Sequence, residues 1–314
     1  MECAYCGREA VMTKEHVVSH SVLELFPECD WTIDANRKTQ YKSEPMVKDV
    51  CSDCNNNRIS YIDSYAKEFI QKYFMVDYEP DCRVQIHYKY VMLLKVLLKY
   101  SFNDARAHKV NAEYFDDGIK NFLLNEAIED VPKPVSIYGG INVNTSAYPS
   151  FLFGNQKLQW VQKPIFLENS IIRYYDECTG RVYIRENMEH WQPEGLVMSY
   201  MFRFNSGQFL VLCWDSIEHK EKMDLLIPLS YPYKLLEPDK EEIILERCTH
   251  AYNCHHPELI DVTWGLPMAD MTNSLIRTDI NPMDMQRLFN QEWSEHEKKI
   301  REQHAKYVES KKKK

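Results

Sequence analysis

Two short segments, MECAYCGREAVMTKEHVVSH (residues 1–20) and VKDVCSDCNNNRIS (residues 47–60), determine how the N-terminal part of this chain can fold. Each segment contains a C-x-x-C pair. Four thiolates in two such pairs are the ligand set of a closed, tetrahedral structural zinc site. This part of the chain has few long apolar runs, so it needs such a staple to fold. The sequence therefore predicts a structural Zn2+ ion, with the ligands Cys3, Cys6, Cys51 and Cys54.

Three polar residues lie close in sequence to the two cysteine pairs. Glu15 and His16 follow the first pair, and Asn55 directly follows the second. A zinc ion that joins the two cysteine pairs also brings Glu15 and His16 towards Asn55. All three residues lie a short chain distance from a zinc-binding cysteine. The metal therefore organises a site from two distant segments.

These three side chains suit metal-assisted cleavage of a phosphodiester. A hard divalent cation such as Mg2+ or Mn2+ prefers oxygen ligands, which the Glu15 carboxylate and the Asn55 amide supply. His16 projects differently from Glu15 on an extended strand, so it need not bind the cation. Its neutral imidazole is then free to act as general base on an attacking water.

The pattern CAYCGREAVMTKEHVVSHSVLELF followed by VKDVCSDCNNNRIS resembles the HNH (His-Me finger) endonucleases, in the four-cysteine zinc branch of the recombination endonuclease VII type. In that branch an acidic residue and a His follow the first cysteine pair, and an Asn follows the second. The resemblance covers about residues 1–70. It implies that Glu15 and Asn55 ligate the catalytic cation and that His16 is the base. It also implies a zinc-stapled ββα fold, with TKEHVVS on the first strand, MVKDVC near the second and NNNRISYIDSYAKEF on the helix.

Three further residues are weaker candidates for the site. The family has a middle Asn that positions the base His, and Asn36 is the candidate because no other Asn lies between His16 and Asn55. His20 is a further ligand or phosphate contact, although a structural role is favoured. Arg58 contacts a phosphate or is a solvated helix residue, and both interpretations stay open.

Beyond the cysteine pairs the sequence predicts an α+β fold. Helical spacing of apolar residues predicts helices over residues 60–74, 88–102 and 112–128. Ser60 is the predicted cap of the first helix. Short runs rich in Val, Ile, Tyr and Phe predict a mostly antiparallel sheet from Pro134 to about Ile227. Within it, SIIRYYDE with RVYIRE and MFRF with QFLVLCW are two predicted hairpins that have Gly in the turn.

The chain divides into three predicted parts. Residues 1–70 form the HNH module with its structural zinc, and residues 71–280 form an α+β domain that binds a partner, a ligand or the substrate. Residues 281–314 form a polar helix with a basic tail. Such a charge run is more often a solvated helix end than a phosphate contact.

Charge and hydropathy exclude several classes of protein. The chain has 38 Lys and Arg against 47 Asp and Glu, and the net charge is -9. This balance argues against a protein that holds nucleic acid through overall positive charge, so any such contact is local. No stretch approaches the roughly 18 apolar residues of a membrane span, and the N-terminus has no apolar signal core. We therefore expect a cytoplasmic protein with no membrane contact.

The expected function is that of a metal-dependent HNH endonuclease acting on nucleic acid, with DNA as the expected substrate. By analogy with stand-alone HNH proteins, it serves anti-phage defence or restriction beside a protein partner such as an ATPase or a sensor. Two alternatives stay open: a catalytically silent zinc-binding adaptor or nucleic-acid-binding module, and an effector whose C-terminal part senses a small molecule. A second cysteine and histidine cluster has no familiar ligand spacing, so no metal is assigned to Cys248, His250, Cys254, His255 and His256.

Overall fold

The computed structural model describes residues 1–79, 81–143, 157–163, 173–176, 181–184, 193–230, 233–248 and 274–278, together with scattered positions between 281 and 309. Within these residues the protein is a mixed helix and sheet structure with one large antiparallel sheet. The α+β prediction is confirmed at this level. Of the second cysteine and histidine cluster, only Cys248 lies among the described residues, and it is buried.

Strands β1 (Met12–His16) and β4 (Met46–Cys51) form an antiparallel pair that joins the two cysteine-containing segments. A register shift between Thr13 and Glu15 marks a bulge in β1. Such bulges re-aim side chains on a strand. The pair therefore places His16 at the strand end opposite Met46, at the far end from Cys51.

Helical segments follow both strands of this pair. Helix α1 (His20–Leu23) follows β1, while a π-helical turn (Cys54–Arg58) and helix α2 (Ser60–Tyr73) follow β4. The predicted cap at Ser60 is wrong. Ile59 occupies the N-cap position, and the Ser60 hydroxyl donates to the Asn57 carbonyl at 3.0 Å. The Asn-rich run already forms a helical turn, so the helical segment begins before Ser60.

The large sheet contains strands from both ends of the chain. Its strands are β2 (Trp31–Asp34), β3 (Thr39–Tyr41), β6 (Val135–Ile141), β7 (Leu158–Gln162), β10 (Leu196–Phe204), β11 (Gly207–Trp214), β12 (Lys234–Leu236) and β14 (Ser274–Thr278). They lie in the order β12-β6-β11-β10-β7-β14-β2-β3, and each neighbouring pair is antiparallel. Strands β2 and β3 come from the segment between the cysteine pairs. This segment therefore extends the sheet of the C-terminal part, and the boundary at residue 70 stays a prediction.

Both predicted hairpins are present as antiparallel strand pairs. Strand β10 pairs with β11, and β8 (Arg173–Asp176) pairs with β9 (Arg181–Ile184). In the β10–β11 turn, Asn205 takes the positive φ of 50°. Gly207 serves a different purpose, since a Cβ there would lie 2.6 Å from the Phe74 ring. A further pair, β5 (Arg83–His87) with β13 (Glu242–Glu246), lies outside the large sheet.

Three more helices complete the described elements, and two of them correct the sequence prediction. Helix α3 (Tyr90–His108) is buried along most of its length, as predicted. The helix predicted over 112–128 is instead a short 3-10 turn and helix α4 (Asp117–Leu124), because the Asp116 side chain accepts from Ile119 N and starts a new helix. The predicted run of strands does not continue to Ile227, because helix α5 (Ile217–Ser230) follows β11, and β12, β13 and β14 come after this helix.

The described positions between 283 and 309 are helical and exposed, in agreement with the polar C-terminal helix. Four aromatic residues of the large sheet lie in the core: Tyr138, Trp160, Tyr200 and Trp214 are at most 1% exposed. In the part of the chain that the structure describes, no helix has the length and apolar character to cross a membrane.

Candidate metal centre and catalytic site

The four predicted cysteines meet in one cluster. Their Sγ atoms all lie within 4.8 Å of one another, and the Sγ atoms of Cys6 and Cys51 are 3.8 Å apart. Zn–S bonds of about 2.3 Å put two sulfurs of a tetrahedral site about 3.8 Å apart, so the cluster fits zinc. Cys3, Cys51 and Cys54 are buried and Cys6 is half-buried, as expected for a closed structural site.

Hydrogen bonds to sulfur prepare the cluster for a cation. The backbone N–H of Cys51 donates to Cys3 Sγ at 3.3 Å, and Arg8 Nε donates to Cys6 Sγ at 3.3 Å. Burial opposes ionisation of Cys6, but the Arg8 contacts outweigh it and lower the pKa of Cys6 to about 6. Arg8 also pairs with Asp53 at 2.6 Å, which links the two cysteine-containing segments. A thiolate is the form that binds zinc, so these contacts favour metal binding.

His16 lies at the end of β1 with about a quarter of its side chain exposed. Its Nε2 is 2.7 Å from Oε2 of Glu44, and its backbone carbonyl accepts from Asn103 Nδ2 at 2.8 Å. Burial lowers the pKa of His16 below its ordinary value, although the charge of Glu44 opposes the shift. The lowered pKa favours the neutral imidazole at pH 7. Glu44 holds the ring, and Asn103 holds the backbone of His16.

His20 shares the same carboxylate. Its Nδ1 lies 3.0 Å from Glu44 Oε2, and its ring stacks on the His16 ring with the centroids 5.2 Å apart. One ligand atom from each of His16, His20 and Glu44 lies within 4.8 Å of the others. The three residues therefore form a second group with the donors to hold a metal ion.

Glu15 points to the opposite side of β1 from His16. It is buried, its Oε1 lies 2.9 Å from Lys99 Nζ, and it accepts from Asn103 Nδ2 at 3.3 Å. Lys99 also contacts both carboxylate oxygens of Asp63, at 2.6 and 2.7 Å. A divalent cation on Glu15 would lie beside the Lys99 ammonium and would be repelled by it.

Asn55 contacts β1 through its amide nitrogen. Its Nδ2 donates to Thr13 Oγ1 at 3.0 Å and to the Lys14 carbonyl at 2.9 Å. The four-cysteine cluster therefore brings Asn55 beside the strand that carries Glu15 and His16. With both contacts made by Nδ2, the oxygen Oδ1 is the atom left to accept from or ligate a further group.

Asn36 and Arg58 lie elsewhere. Asn36 lines a pocket of about 360 Å³ that it shares with Arg37, Ala107, His108, Lys109, Val110 and Gln162. The residue that contacts the His16 imidazole is Glu44 instead. Arg58 ends the π-helical turn and is half-buried, and its charge lowers the pKa of Asp53 together with the stronger contact from Arg8.

His108, beside this pocket, gives a pH-dependent prediction for stability. Its Nε2 and Nδ1 each lie 3.2 Å from a carboxylate, of Asp34 and Asp104 respectively. Burial alone lowers the pKa of His108, but the two carboxylates outweigh it and raise the pKa to about 10. The two ion pairs of His108 therefore stabilise the fold fully below the pKa of histidine in the unfolded chain, about 6.5. This stabilisation is lost as the pH rises towards 10. We expect His108→Gln to lower the free energy of unfolding by about 3 kcal/mol at pH 6.

Urea unfolding of both proteins at pH 6, 8 and 10 tests this prediction. If His108 is charged in the folded state, the difference in the free energy of unfolding between the wild type and His108→Gln becomes smaller as the pH rises. A gap that is constant across this range would contradict it.

No protein-family model, curated protein or solved structure was found to match this chain. The HNH resemblance therefore rests on the two sequence segments and on the geometry above.

Sequence reasoning missed Glu44, Lys99 and Arg277. Glu44 carried a signal: once β1 and β4 pair, the residues just before Met46 lie beside those that follow His16. Arg277, on β14, carried none, because β14 meets β2 only through the large sheet. It is 5% exposed, and its Nη1 lies 3.7 Å from Glu44 Oε1. Among the residues that the structure describes, its Nε and Nη1 have no hydrogen-bond partner.

Proposed function

We propose that this protein is a metal-dependent endonuclease of the HNH type, which hydrolyses phosphodiester bonds in nucleic acid, with DNA as the expected substrate. The observation that carries the proposal is the position of His16. It ends strand β1, which pairs with β4 beside the four-cysteine cluster. Asn55, in the helical turn after β4, contacts Thr13 and Lys14 of the same strand. The strand pair and the contacts of Asn55 with β1 support this proposal.

In the proposed reaction His16 takes the proton of the attacking water. When Nε2–H donates to Glu44, Nδ1 carries the free lone pair that accepts this proton. The water oxygen forms a bond to phosphorus, and the bond from phosphorus to the leaving oxygen breaks. Glu44 stabilises the imidazolium that results, since it places a carboxylate beside the new positive charge.

A bound Mg2+ or Mn2+ would supply charge stabilisation at the phosphate and the leaving oxygen. Asn55, through Oδ1, and Glu15 are the ligands that the resemblance names. Asn55 supports this role because its Nδ2 contacts fix the amide. The Lys99 ion pair of Glu15 weakens the case for that residue.

The proposal extends to an effector of anti-phage defence or restriction that is regulated by its C-terminal part or by a partner such as an ATPase or a sensor. Two observations support a regulated enzyme. The net charge of -9 disfavours strong autonomous binding to DNA. Strand β2 hydrogen-bonds to β14 and β3 hydrogen-bonds to β2, so a movement of the C-terminal sheet reaches the segment that contains Glu44.

Plasmid and single-stranded DNA cleavage with Mg2+ or Mn2+ tests the proposal, with EDTA as the negative control. We expect His16→Ala to lower the cleavage rate by about 10²–10⁴-fold, the usual contribution of a general base. His87→Ala is the matched control, because His87 is an exposed histidine paired with Glu242 on another sheet. Zinc content is measured in parallel and stays unchanged in both variants. Cleavage by His16→Ala at the wild-type rate would refute the assignment of the base.

The alternative is a catalytically silent zinc-binding adaptor, and one observation favours it. The acidic residue that the resemblance assigns to the catalytic cation is buried against a lysine. Such a protein retains its zinc and binds its partner, yet does not cut DNA or RNA with any divalent cation.

A further inference from the structure

A cluster of two imidazoles and a carboxylate lies at the end of β1, apart from the four cysteines. It consists of His16 Nε2, His20 Nδ1 and Glu44 Oε2. We infer that these atoms form a second metal site, which takes an exchangeable transition-metal ion such as Zn2+ or Ni2+ and switches His16 off as a base. The site stands on geometry alone, while its effect on cleavage rests on the proposed function.

The donor set selects the class of ion. Imidazole nitrogen suits Zn2+, Ni2+ and Cu2+, whereas Mg2+ and Mn2+ prefer carboxylate, carbonyl and water oxygens. Bonds of about 2.0–2.1 Å place two ligand atoms of a tetrahedral zinc site about 3.4 Å apart. The observed separations of 2.7 and 3.0 Å from Glu44 Oε2 to the two nitrogens need only small side-chain rotations to reach this value.

Exposure and supporting contacts fit an ion that exchanges with solvent. The His20 side chain is 58% exposed, which gives an entry path and room for water as a fourth ligand. The other nitrogen of His20, Nε2, lies 3.6 Å from Glu24 Oε1. A carboxylate behind a metal-binding imidazole orients the ring and increases its basicity. Arg277 Nη1, 3.7 Å from the other oxygen of Glu44, restrains that carboxylate. Its positive charge weakens the binding of a cation, in keeping with an ion that exchanges.

Metal binding and base catalysis require opposite tautomers of His16. In the proposed reaction Nε2 carries the proton towards Glu44 and Nδ1 is the base. A metal ion bound to Nε2 uses the lone pair of that nitrogen, so the proton must lie on Nδ1. Neither nitrogen can then accept a proton from water. Both states use the same two atoms of His16 and Glu44. A transition-metal ion on His16 therefore inhibits the proposed cleavage reaction, which Mg2+ or Mn2+ supports.

Calorimetric titration with Ni2+ tests the site without any need for activity. The full-length protein is used with its cysteine-bound zinc in place, and the zinc content is measured before and after. We expect one exchangeable Ni2+ site in the wild type. The affinity should fall at least tenfold in His20→Ala and in Glu44→Gln, and should not change in His87→Ala. Absence of exchangeable Ni2+ in the wild type, or equal affinity in His20→Ala, would overturn the inference.

Cleavage assays separate this inference from the proposed function. At fixed Mg2+, added Zn2+ should inhibit the wild type with the affinity that the same titration, repeated with Zn2+, gives for the site. The ratio of rates with and without Zn2+ should stay near one in His20→Ala, whatever its basal rate. Saturating Zn2+ without inhibition of an active wild type would refute the switch. If no protein cleaves, the endonuclease proposal fails, and the titration still decides whether the metal site exists.

Discussion

Replacement of Cys51 with serine is expected to release the structural zinc and to unfold the segment that carries His16. Cys51 is the last residue of β4, and Met12 of β1 lies opposite it. Loss of this ligand therefore loosens the metal cluster and the strand pair together. Structural zinc sites contribute roughly 10–16 kcal/mol of binding free energy, which is available only to the folded chain. We expect the free energy of unfolding to fall by about 4 kcal/mol or more, and cleavage activity to be lost with it.

Zinc content by atomic absorption and urea unfolding measure this effect. Cys82→Ser is the matched control, because Cys82 is a half-buried thiol outside the cluster. It should retain one zinc per chain and unfold at nearly the wild-type urea concentration. If Cys51→Ser also retained its zinc and its stability, the four-cysteine assignment would be wrong.

The local features of the N-terminal part could be predicted from sequence because they depend on residues close together in the chain. A C-x-x-C pair places two thiolates on one turn, and two pairs suffice for a zinc site. The HNH resemblance implied a first strand at TKEHVVS and a second near MVKDVC, and β1 and β4 contain the TKEH and MVKDVC segments. Alternation and turn residues likewise gave the β10–β11 hairpin.

The remaining features depend on contacts between distant segments, which periodicity does not encode. Strand β2 joins the large sheet through β14, more than 200 residues away in the chain. The surroundings of His16 also depend on contacts between distant segments. Asn103 and Lys99 of α3 contact β1, and Arg277 lies near Glu44. In the sequence Lys99 follows a run of apolar residues, and nothing near it indicates which residues it contacts. Only the packing of α3 against β1 and α2 shows that its charge is neutralised.

Two lysines of α3 are fully buried, and they differ in what they contact. Lys99 Nζ lies among the carboxylates of Glu15 and Asp63, while Lys95 Nζ donates to the carbonyls of Asn125 and Glu126. Burial alone lowers the pKa of Lys99, but Asp63 and Glu15 outweigh it and raise the pKa. Burial lowers the pKa of Lys95 and outweighs the opposing charges of Glu126 and Glu129. The two positions therefore form a matched comparison on one helix.

Replacement of Lys99 with methionine is expected to lower the free energy of unfolding by about 3–5 kcal/mol at pH 7, since it leaves two buried carboxylates without their cation. Lys95→Met leaves only neutral carbonyls without a donor, and its cost should be about 1–3 kcal/mol. Urea unfolding of both variants gives the comparison. A cost for Lys99→Met no greater than that for Lys95→Met would contradict the ion-pair account.

The pH dependence of the Lys99→Met variant identifies the cause of its instability. Burial already raises the pKa of Asp63, against the opposing effect of Lys99. Without the lysine the folded-state pKa of this carboxyl rises further above its unfolded value, so stability is retained at low pH and lost as the pH rises through the raised pKa. The deficit relative to wild type should therefore shrink between pH 7 and pH 5. Recovery of stability at pH 5 would therefore show that α3 holds α2 through the charge of Lys99 and not through packing alone.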